Sequence, residues 1–273
     1  SPRESHTAIW TGTEMIIWGG AIKVCSSSCS WIEFNSGGHY NPVNDRWAAT
    51  ALVANTPMAR SGHSAIWDGK EMIIWGGGNR PAGLLNNGGR YDPVSDNWTV
   101  TSIGTNVPTK RVNHTAVWIG NEMIIWGGAG FNSGGRYNPL TDSWTPTSLG
   151  GNVPSGRESH TTVWTGSEMI VWGGGTDSLP PTPLVNTGGR YNPTTDSWVP
   201  TSMGANVPGA RKFHSAVWTG NEMIIWGGAN PPTGGRYNPA TDTWIQTSTA
   251  GNIPSWRMQP SAVWNGSEDR KGT

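Results

Sequence analysis

The chain has 273 residues, no formal net charge at pH 7, and charged side chains at only 13% of its positions. This balance gives no electrostatic attraction to nucleic acid or to an anionic membrane surface, so neither partner is expected, and the apolar runs are too short for membrane insertion. Because 18 Trp residues accompany 39 Gly and 20 Pro, the composition also excludes a disordered chain. Short apolar runs between turn residues predict an all-β protein.

The first residues open a unit that recurs along the chain. Arg3 begins an Arg-x-x-His motif, and Trp-Gly-Gly follows fifteen residues later, at Trp18. Next comes Gly-Gly-His-Tyr-Asn-Pro, which contains Tyr40, and a further tryptophan, Trp47, stands seven residues beyond that tyrosine. The same succession occurs five times and starts a sixth time, with opening arginines at Arg3, Arg60, Arg111, Arg157, Arg211 and Arg257.

Each unit predicts four strands, named a to d. In the fifth unit, strand a is His214 to Trp218, strand b ends at Trp226, strand c surrounds Tyr237, and strand d starts near Trp244. Strand b carries no polar residue, which predicts that neighbouring sheets cover both of its faces. The glycine pair after strand b would let the backbone turn sharply or approach a neighbour closely.

These ordered motifs resemble the kelch repeat, and the resemblance covers residues 1 to 266. It implies an all-β, kelch-type β-propeller, in which four-stranded sheets pack radially as blades. The sequence therefore predicts five full blades plus the first strand of a sixth over residues 1–268, and a C-terminal tail at 269–273.

Kelch propellers commonly have six or seven blades, whereas the sixth unit of this chain stops matching after Glu268. An incomplete sixth blade is the favoured interpretation. Closure with five blades, or completion of the ring by a second chain, stays open. Because an open ring would expose sheet faces and edges, the incomplete sixth blade predicts a surface for self-association.

The units differ in length at one place, the loop between strands b and c. The other spacings are constant, whereas this loop covers 21–36, 78–87, 129–133, 175–187 and 229–233 in the five units. In an up-and-down sheet the b–c loop and the d–a connection emerge at the same end. Length variation confined to one end of repeated sheets is typical of a binding face.

Aromatic residues outside the repeat positions fall at that same end, and they are Trp31, Phe34, Phe131, Phe213 and Trp256. We expect these rings to contact a ligand, either by stacking on a sugar ring or by anchoring a protein. Polar contacts would come from charged residues of the same loops, Arg80, Asp177, Lys23 and Glu33. The kelch resemblance adds the opening arginines, since partners in this family are often recognised near them: Arg60, Arg111, Arg157 and Arg211.

Five histidines begin strand a: His6, His63, His114, His160 and His214. A ring of imidazoles could hold a metal or an anion, but each histidine occupies a repeat position, so a structural hydrogen-bonding role is expected. No phosphate-loop, nucleophile or zinc motif occurs in the sequence, and we predict no cofactor and no metal. Kelch-like propellers include copper-radical oxidases and a sialic acid epimerase. The copper chemistry is not expected here, because every tyrosine is a repeat residue.

The two cysteines, Cys25 and Cys29, lie in the first b–c loop. A disulfide that closes this loop is favoured over two free thiols. It would indicate an oxidising compartment, and hence an extracellular or cell-surface location.

Three functions compete on this evidence. The leading hypothesis is a non-catalytic binding module that presents the b–c and d–a loops to a glycan or protein ligand. The alternative is an enzyme with a site at the channel mouth on the same face, which would need two of Glu4, Glu33, Glu158 and Asp177 in one cleft. The third is a structural scaffold segment completed by another chain.

Overall fold

A computed structural model of the chain describes residues 1–176, 183–229, 232–255 and 259–266, and the backbone of 269–271. All of the regular secondary structure in these ranges consists of β-strands. Among the described residues there is no helix that is long and apolar enough to cross a membrane.

Each of the five full repeats forms one four-stranded sheet in the strand order a-b-c-d, as the sequence predicts. Repeat 1 contains β1 (Thr7–Trp10), β2 (Met15–Trp18), β3 (Ala21–Cys25), β4 (Cys29–Glu33), β5 (Gly37–Asn41) and β6 (Arg46–Ala49). Its four-stranded sheet has the order β1-β2-β5-β6, while β3 and β4 form a separate hairpin within the b–c loop.

Repeat 2 follows the same plan with β7 (Ser64–Trp67), β8 (Met72–Trp75), β9 (Gly78–Asn79), β10 (Gly83–Leu84), β11 (Gly88–Asp92) and β12 (Asn97–Val100). Here β9 and β10 form a short hairpin within the b–c loop. Repeat 3 contains β13 (Thr115–Trp118), β14 (Met123–Trp126), β15 (Gly134–Asn138) and β16 (Ser143–Pro146). Repeat 4 contains β17 (Thr161–Trp164), β18 (Met169–Trp172), β19 (Gly188–Asn192) and β20 (Ser197–Pro200). Repeat 5 contains β21 (Ser215–Trp218), β22 (Met223–Trp226), β23 (Gly234–Asn238) and β24 (Thr243–Gln246).

Beyond repeat 5 the chain forms a hairpin rather than a single strand followed by a tail. β25 (Ala262–Trp264) pairs antiparallel with β26 (Asp269–Lys271). Gly266, with a φ of +93°, lies between the two strands and favours a reversal of the chain there. The prediction of a tail at 269–273 is therefore wrong for Asp269–Lys271.

The chain divides into two compact units. The first comprises residues 1–125 and 134–146, and it holds the sheets of repeats 1 and 2 and most of repeat 3. The second comprises residues 126–133 and 147–273, with the sheets of repeats 4 and 5 and the terminal hairpin.

Consecutive repeats within a unit share a hydrophobic core, as the apolar strand b predicts. The core between repeats 2 and 3 joins Ile66, Ile73 and Trp75 to Met123, Ile125, Tyr137 and Trp144. The core between repeats 4 and 5 joins Val163, Ile170 and Trp172 to Met223, Ile225, Tyr237 and Trp244. In each core, the residues of the earlier repeat, such as Ile66, Ile73 and Trp75, form what we call its leading face. The residues of the later repeat form what we call its trailing face. Strand b contributes to both faces, so all four of its residues are buried in β8, β14 and β18.

The glycine pair after strand b lies where the next repeat approaches most closely. Gly76 has a φ of +67°, and a Cβ on it would lie 2.6 Å from the His114 ring. Gly77 has a φ of +91°, and its N–H donates a hydrogen bond to the carbonyl of Arg111. Both the backbone conformation and the close approach therefore require glycine here.

Candidate functional site

The b–c loop of repeat 1 forms a hairpin that carries three of the predicted site residues. In the pairing of β3 with β4, Lys23 lies opposite Trp31 and Ala21 lies opposite Glu33. Opposite residues of an antiparallel pair point to the same face, and so do residues two apart on one strand. Lys23, Trp31 and Glu33 therefore share one face of the hairpin.

A disulfide between Cys25 and Cys29 closes the tip of this hairpin. The two cysteines form the last pair of the β3–β4 ladder, and Ser26–Ser28 make the turn between them. The bond ties the strand that carries Trp31 to its partner strand. The hairpin backbone therefore sets the position of the indole ring.

Trp31, Glu33 and Arg80 form a cluster that joins repeats 1 and 2. Arg80 lies in the turn between β9 and β10, and its guanidinium carbon is 5.5 Å from the centroid of the Trp31 ring. The Nε of Arg80 lies 3.6 Å from Oε1 of Glu33. The side chain of Arg80 is 57% exposed, whereas that of Glu33 is only 7% exposed. A planar cation thus lies at the surface, held between an aromatic ring and a nearly buried carboxylate.

The cluster forms one wall of a pocket of about 170 Å³, lined by Glu4, Ser5, Ala21, Trp31, Glu33, Ser61 and Arg80. The lining supplies one aromatic ring, one guanidinium, two hydroxyls and two carboxylates. Such a surface recognises polar groups rather than a purely apolar ligand. Glu4 and Glu33, two of the acidic residues that an enzyme would need in one cleft, both line this pocket.

Phe34 and Phe131 occupy a repeat position that the sequence comparison missed. Each stands three residues before strand c, where repeats 2 and 4 have Leu85 and Val185. The carbonyl of each of these four residues accepts a hydrogen bond from the N–H of the next opening arginine. Phe34 also packs under Arg3, whose guanidinium carbon lies 4.5 Å from the ring centroid. The prediction that these two rings lie outside the repeat positions is therefore wrong, since their backbone carbonyls accept the same hydrogen bond between repeats.

Four of the opening arginines are buried inside these joints. The guanidinium of Arg60 donates hydrogen bonds to the carbonyls of Gly76, Asn87 and Met58. Burial lowers the pKa of Arg60 to about 10, which still leaves it protonated at neutral pH. The prediction that these side chains contact a ligand is wrong, because all four are no more than 1% exposed: Arg60, Arg111, Arg157 and Arg211.

The remaining predicted residues lie elsewhere. Lys23 is exposed on the β3–β4 hairpin. Phe213 belongs to the second unit, where it has a φ of +57° and the Lys212 ammonium lies 5.3 Å from its ring centroid. Asp177 and Trp256 lie outside the described residues.

The histidines at the start of strand a have the structural role expected of them. Nε2 of His63 is hydrogen-bonded to Oγ1 of Thr7 in the preceding repeat at 2.9 Å, and its ring lies edge-on to Trp18. Burial, aided by the positive charge of Arg60, lowers the pKa of His63 to about 3, so the ring is neutral at physiological pH. His6, in contrast, is exposed. No group of three His, Cys, Asp or Glu side chains that could hold a metal ion occurs in the part of the chain that the structure describes.

A recurrent aspartate also joins consecutive repeats. Asp96 accepts a hydrogen bond from the Tyr91 hydroxyl at 2.6 Å and from the N–H of Ala51, in the preceding repeat, at 2.8 Å. The same amide–aspartate joint recurs at Ser102–Asp142, Ser148–Asp196 and Ser202–Asp242. The partners lie 40 to 48 residues apart along the chain, so no local pattern reveals them.

Comparison with known proteins agrees with this architecture. The family model described as the KLHDC2/KLHL20/DRC7 Kelch-repeats domain matches residues 5–142 and 136–268. Kelch domain-containing protein 3 of Rattus norvegicus is 28% identical over 127 residues, which cover 46% of this chain and 32% of that protein. The alpha chain of the flagellar outer arm dynein of Chlamydomonas reinhardtii is 27% identical over 136 residues, which cover 47% of this chain and 3% of the relative.

Host cell factor of Drosophila melanogaster is 26% identical over 148 residues, which cover 46% of this chain and 9% of that protein. The chain thus spans no more than a third of the length of the relatives named here. The predicted fold class is confirmed by the family match together with the five four-stranded sheets. The chain belongs to the kelch-repeat family, and its fold is of the kelch-type β-propeller class.

Proposed function

We propose that the chain is a non-catalytic module that binds a protein partner through the b–c loop end of its first unit. In this proposal Trp31, Glu33 and Arg80 anchor the partner. The observation that carries it is the arrangement of Arg80, which is stacked on an indole ring and paired with a nearly buried carboxylate while more than half exposed.

The cluster has the physical properties of an interface anchor. Tryptophan and arginine are the side chains that most often contribute large binding energies at protein interfaces. The guanidinium of Arg80 is already oriented by Trp31 and Glu33, so little conformational entropy is lost when a partner binds it. The disulfide-closed hairpin supports Trp31 in the same way.

The ligand class and the location follow from the same features. A protein partner is favoured, because the family is built from repeats that present loops on a rigid framework. A glycan is the alternative ligand, since one indole ring among polar side chains can also receive a sugar ring. The Cys25–Cys29 disulfide supports an extracellular or cell-surface location.

The test compares proteins captured from source extracts by the wild-type chain and by the Trp31→Ala and Arg80→Ala variants. The matched control is Lys70→Ala, which removes an exposed cation from the a–b turn, at the opposite end of the same sheet. A partner that uses the cluster is retained by wild type and by Lys70→Ala. With purified components, each anchor variant should weaken its binding at least about tenfold.

Partners that bind all four proteins with equal affinity would refute the role of the cluster. A glycan array probed with the same four proteins distinguishes the ligand class. Saturable binding to a defined glycan that depends on Trp31 would show that the ligand of the cluster is a glycan rather than a protein.

An enzyme is the second candidate, because Glu4 and Glu33 line one pocket. Two carboxylates in a cleft are the elements of acid–base chemistry on a glycosidic bond. Hydrolysis of an array glycan, lost in both Glu4→Gln and Glu33→Gln, would support this candidate. Binding without turnover would support the non-catalytic module.

A further inference from the structure

Two carboxylates flank a small residue in the pocket formed by repeats 1 and 2. Ala21 of β3 is paired with Glu33 of β4 on one side, and it exchanges two backbone hydrogen bonds of 2.9 Å with Glu4 on the other. Directly opposite residues of antiparallel strands point to the same face. The methyl group of Ala21 therefore lies between the side chains of Glu4 and Glu33, and all three residues line the pocket of about 170 Å³.

The same row of three residues occurs in other repeats without the second carboxylate. The equivalent rows are Ser61, Gly78 and Leu84 in repeat 2, and Glu158, Gly175 and Leu184 in repeat 4. An aliphatic side chain thus occupies the place of Glu33 in both. Repeat 1 has an ionisable group where the repeat architecture elsewhere accommodates leucine, so the fold itself does not require a charge at this position.

Glu33 is nearly buried, yet its charge is only partly compensated. Its side chain is 7% exposed, and its ion partner, Nε of Arg80, lies 3.6 Å away. Within the described ranges, no group donates a hydrogen bond to the Glu33 carboxylate. Buried carboxylates normally accept hydrogen bonds in addition to facing a cation. Because Glu33 lines the pocket, a ligand that carries N–H groups can supply the missing donors.

We propose that the partner inserts a basic side chain into this pocket, with its cationic group over Ala21 between Glu33 and Glu4; this inference rests on the proposed protein-binding function. The lining favours a cation, because its two carboxylates outnumber its one guanidinium, that of Arg80. The N–H groups of the basic side chain donate charge-assisted hydrogen bonds to Glu33, and the two serine hydroxyls of the lining are further acceptors. The pocket has the volume of about six water molecules, so it takes the end of one side chain rather than a folded segment.

The experiment titrates the isotope-labelled full chain with N-acetyl-arginine methylamide and follows the indole N–H signal of Trp31 by NMR. This signal is identified by its loss in Trp31→Phe, and a saturable shift is expected. The matched probe is N-acetyl-citrulline methylamide, which has nearly the same shape but no charge, and it should bind at least about tenfold more weakly. Since both probes are single residues, the result does not depend on the capture of a protein partner.

Three substitutions assign the binding to the two carboxylates. Glu33→Gln should weaken binding of the arginine probe at least about tenfold, because it removes the charge that accepts the hydrogen bonds. Glu4→Gln should weaken it only about twofold, because Glu4 is exposed and its charge is screened by water. Glu222→Gln removes the same charge from an a–b turn of the second unit, so this control should bind the probe as wild type does.

Glu33→Leu distinguishes a role in binding from a role in the fold. It introduces the side chain of the equivalent rows, so the variant should unfold at the wild-type urea concentration or above while losing the arginine probe. A lower urea midpoint would assign the carboxylate to the fold and overturn the proposal. Equal binding of the two probes, equal binding by Glu33→Gln, or no saturable shift would also overturn it. Capture of a partner that needs Trp31 and Arg80 but not Glu33 would refute the basic side chain and leave the protein-binding function intact.

Discussion

Repeats 1 and 2 carry the same motifs but differ in what covers them. Trp98 of repeat 2 is 1% exposed because the leading face of repeat 1 packs against it, whereas Trp47 of repeat 1 is 55% exposed. His63 is buried against Thr7 and Trp18 of repeat 1, whereas His6 is exposed. A repeat motif thus fixes where a side chain points, while the neighbouring repeat determines whether that side chain is buried and stabilises the fold.

The largest expected effect concerns Trp47 and Trp98, the tryptophans that stand seven residues beyond the repeat tyrosines. Trp98→Ala should lower the free energy of unfolding by about 3–5 kcal/mol, because it leaves a cavity in the core between repeats 1 and 2. Trp47→Ala should lower it by less than about 1 kcal/mol, since much of its ring already contacts water. Urea denaturation followed by circular dichroism measures both values. Equal losses would mean that the trailing face of repeat 1 is covered in solution.

The opening arginines extend the comparison to a buried charge. Arg60→Met should cost about 3 kcal/mol, because the carbonyls of Gly76 and Asn87 lose a charged donor. Arg3→Met should cost about 1 kcal/mol, because Arg3 makes the same type of contacts but is partly exposed. The urea midpoints of the two variants are the measurement. The assignment fails if the loss for Arg3 matches that for Arg60.

The buried histidines should make the fold sensitive to acid. His63, His114 and His214 each have a folded pKa of about 3, below the usual value near 6.5, so the unfolded chain takes up protons first as the pH falls. Stability present above pH 6.5 should therefore decrease towards pH 3, by up to about 1.4 kcal/mol per pH unit for each buried histidine. Unfolding free energies at about pH 7.5 and about pH 5.5 test this. His63→Gln should reduce the slope, and an unchanged slope would contradict this role of the buried ring.

The smallest expected effect concerns one backbone position in the d–a connections. Phe213 and its equivalent Asn113 both have a φ of +57°, a region that asparagine tolerates and a bulky ring does not. Phe213→Asn should therefore raise the free energy of unfolding by about 1 kcal/mol. Asn113→Phe should lower it by a similar amount. Thermal unfolding of both variants checks the pair, and destabilisation by Phe213→Asn would show that the ring makes contacts that outweigh the strain.

Local patterns predicted the repeated parts of the fold because each repeat encodes its own strands and turns. The five sheets, their strand order and the double burial of strand b all follow from short motifs such as Met72–Trp75. The terminal hairpin did not follow, because Asp269–Lys271 has no apolar pattern and its pairing with Ala262–Trp264 depends on the turn at Gly266.

The candidate site was only partly predictable. Trp31, Glu33 and Arg80 were each identified, but their convergence depends on hairpins contributed by two repeats. Phe34 was misplaced because the repeat conserves its backbone role while its side chain varies between aromatic and aliphatic. The buried arginines were misplaced for a related reason, since their acceptors are main-chain carbonyls that carry no sequence signature.

The aspartate joint has a consequence for how such chains can grow. Asp96 holds the N–H of Ala51, a group that every residue except proline presents in the same way. The joint therefore does not depend on the side chain of the residue that donates the N–H. A duplicated or transplanted repeat could form the same hydrogen bond. Gain or loss of whole repeats by gene duplication should for this reason be tolerated at these joints far more readily than the insertion of a few residues within a strand.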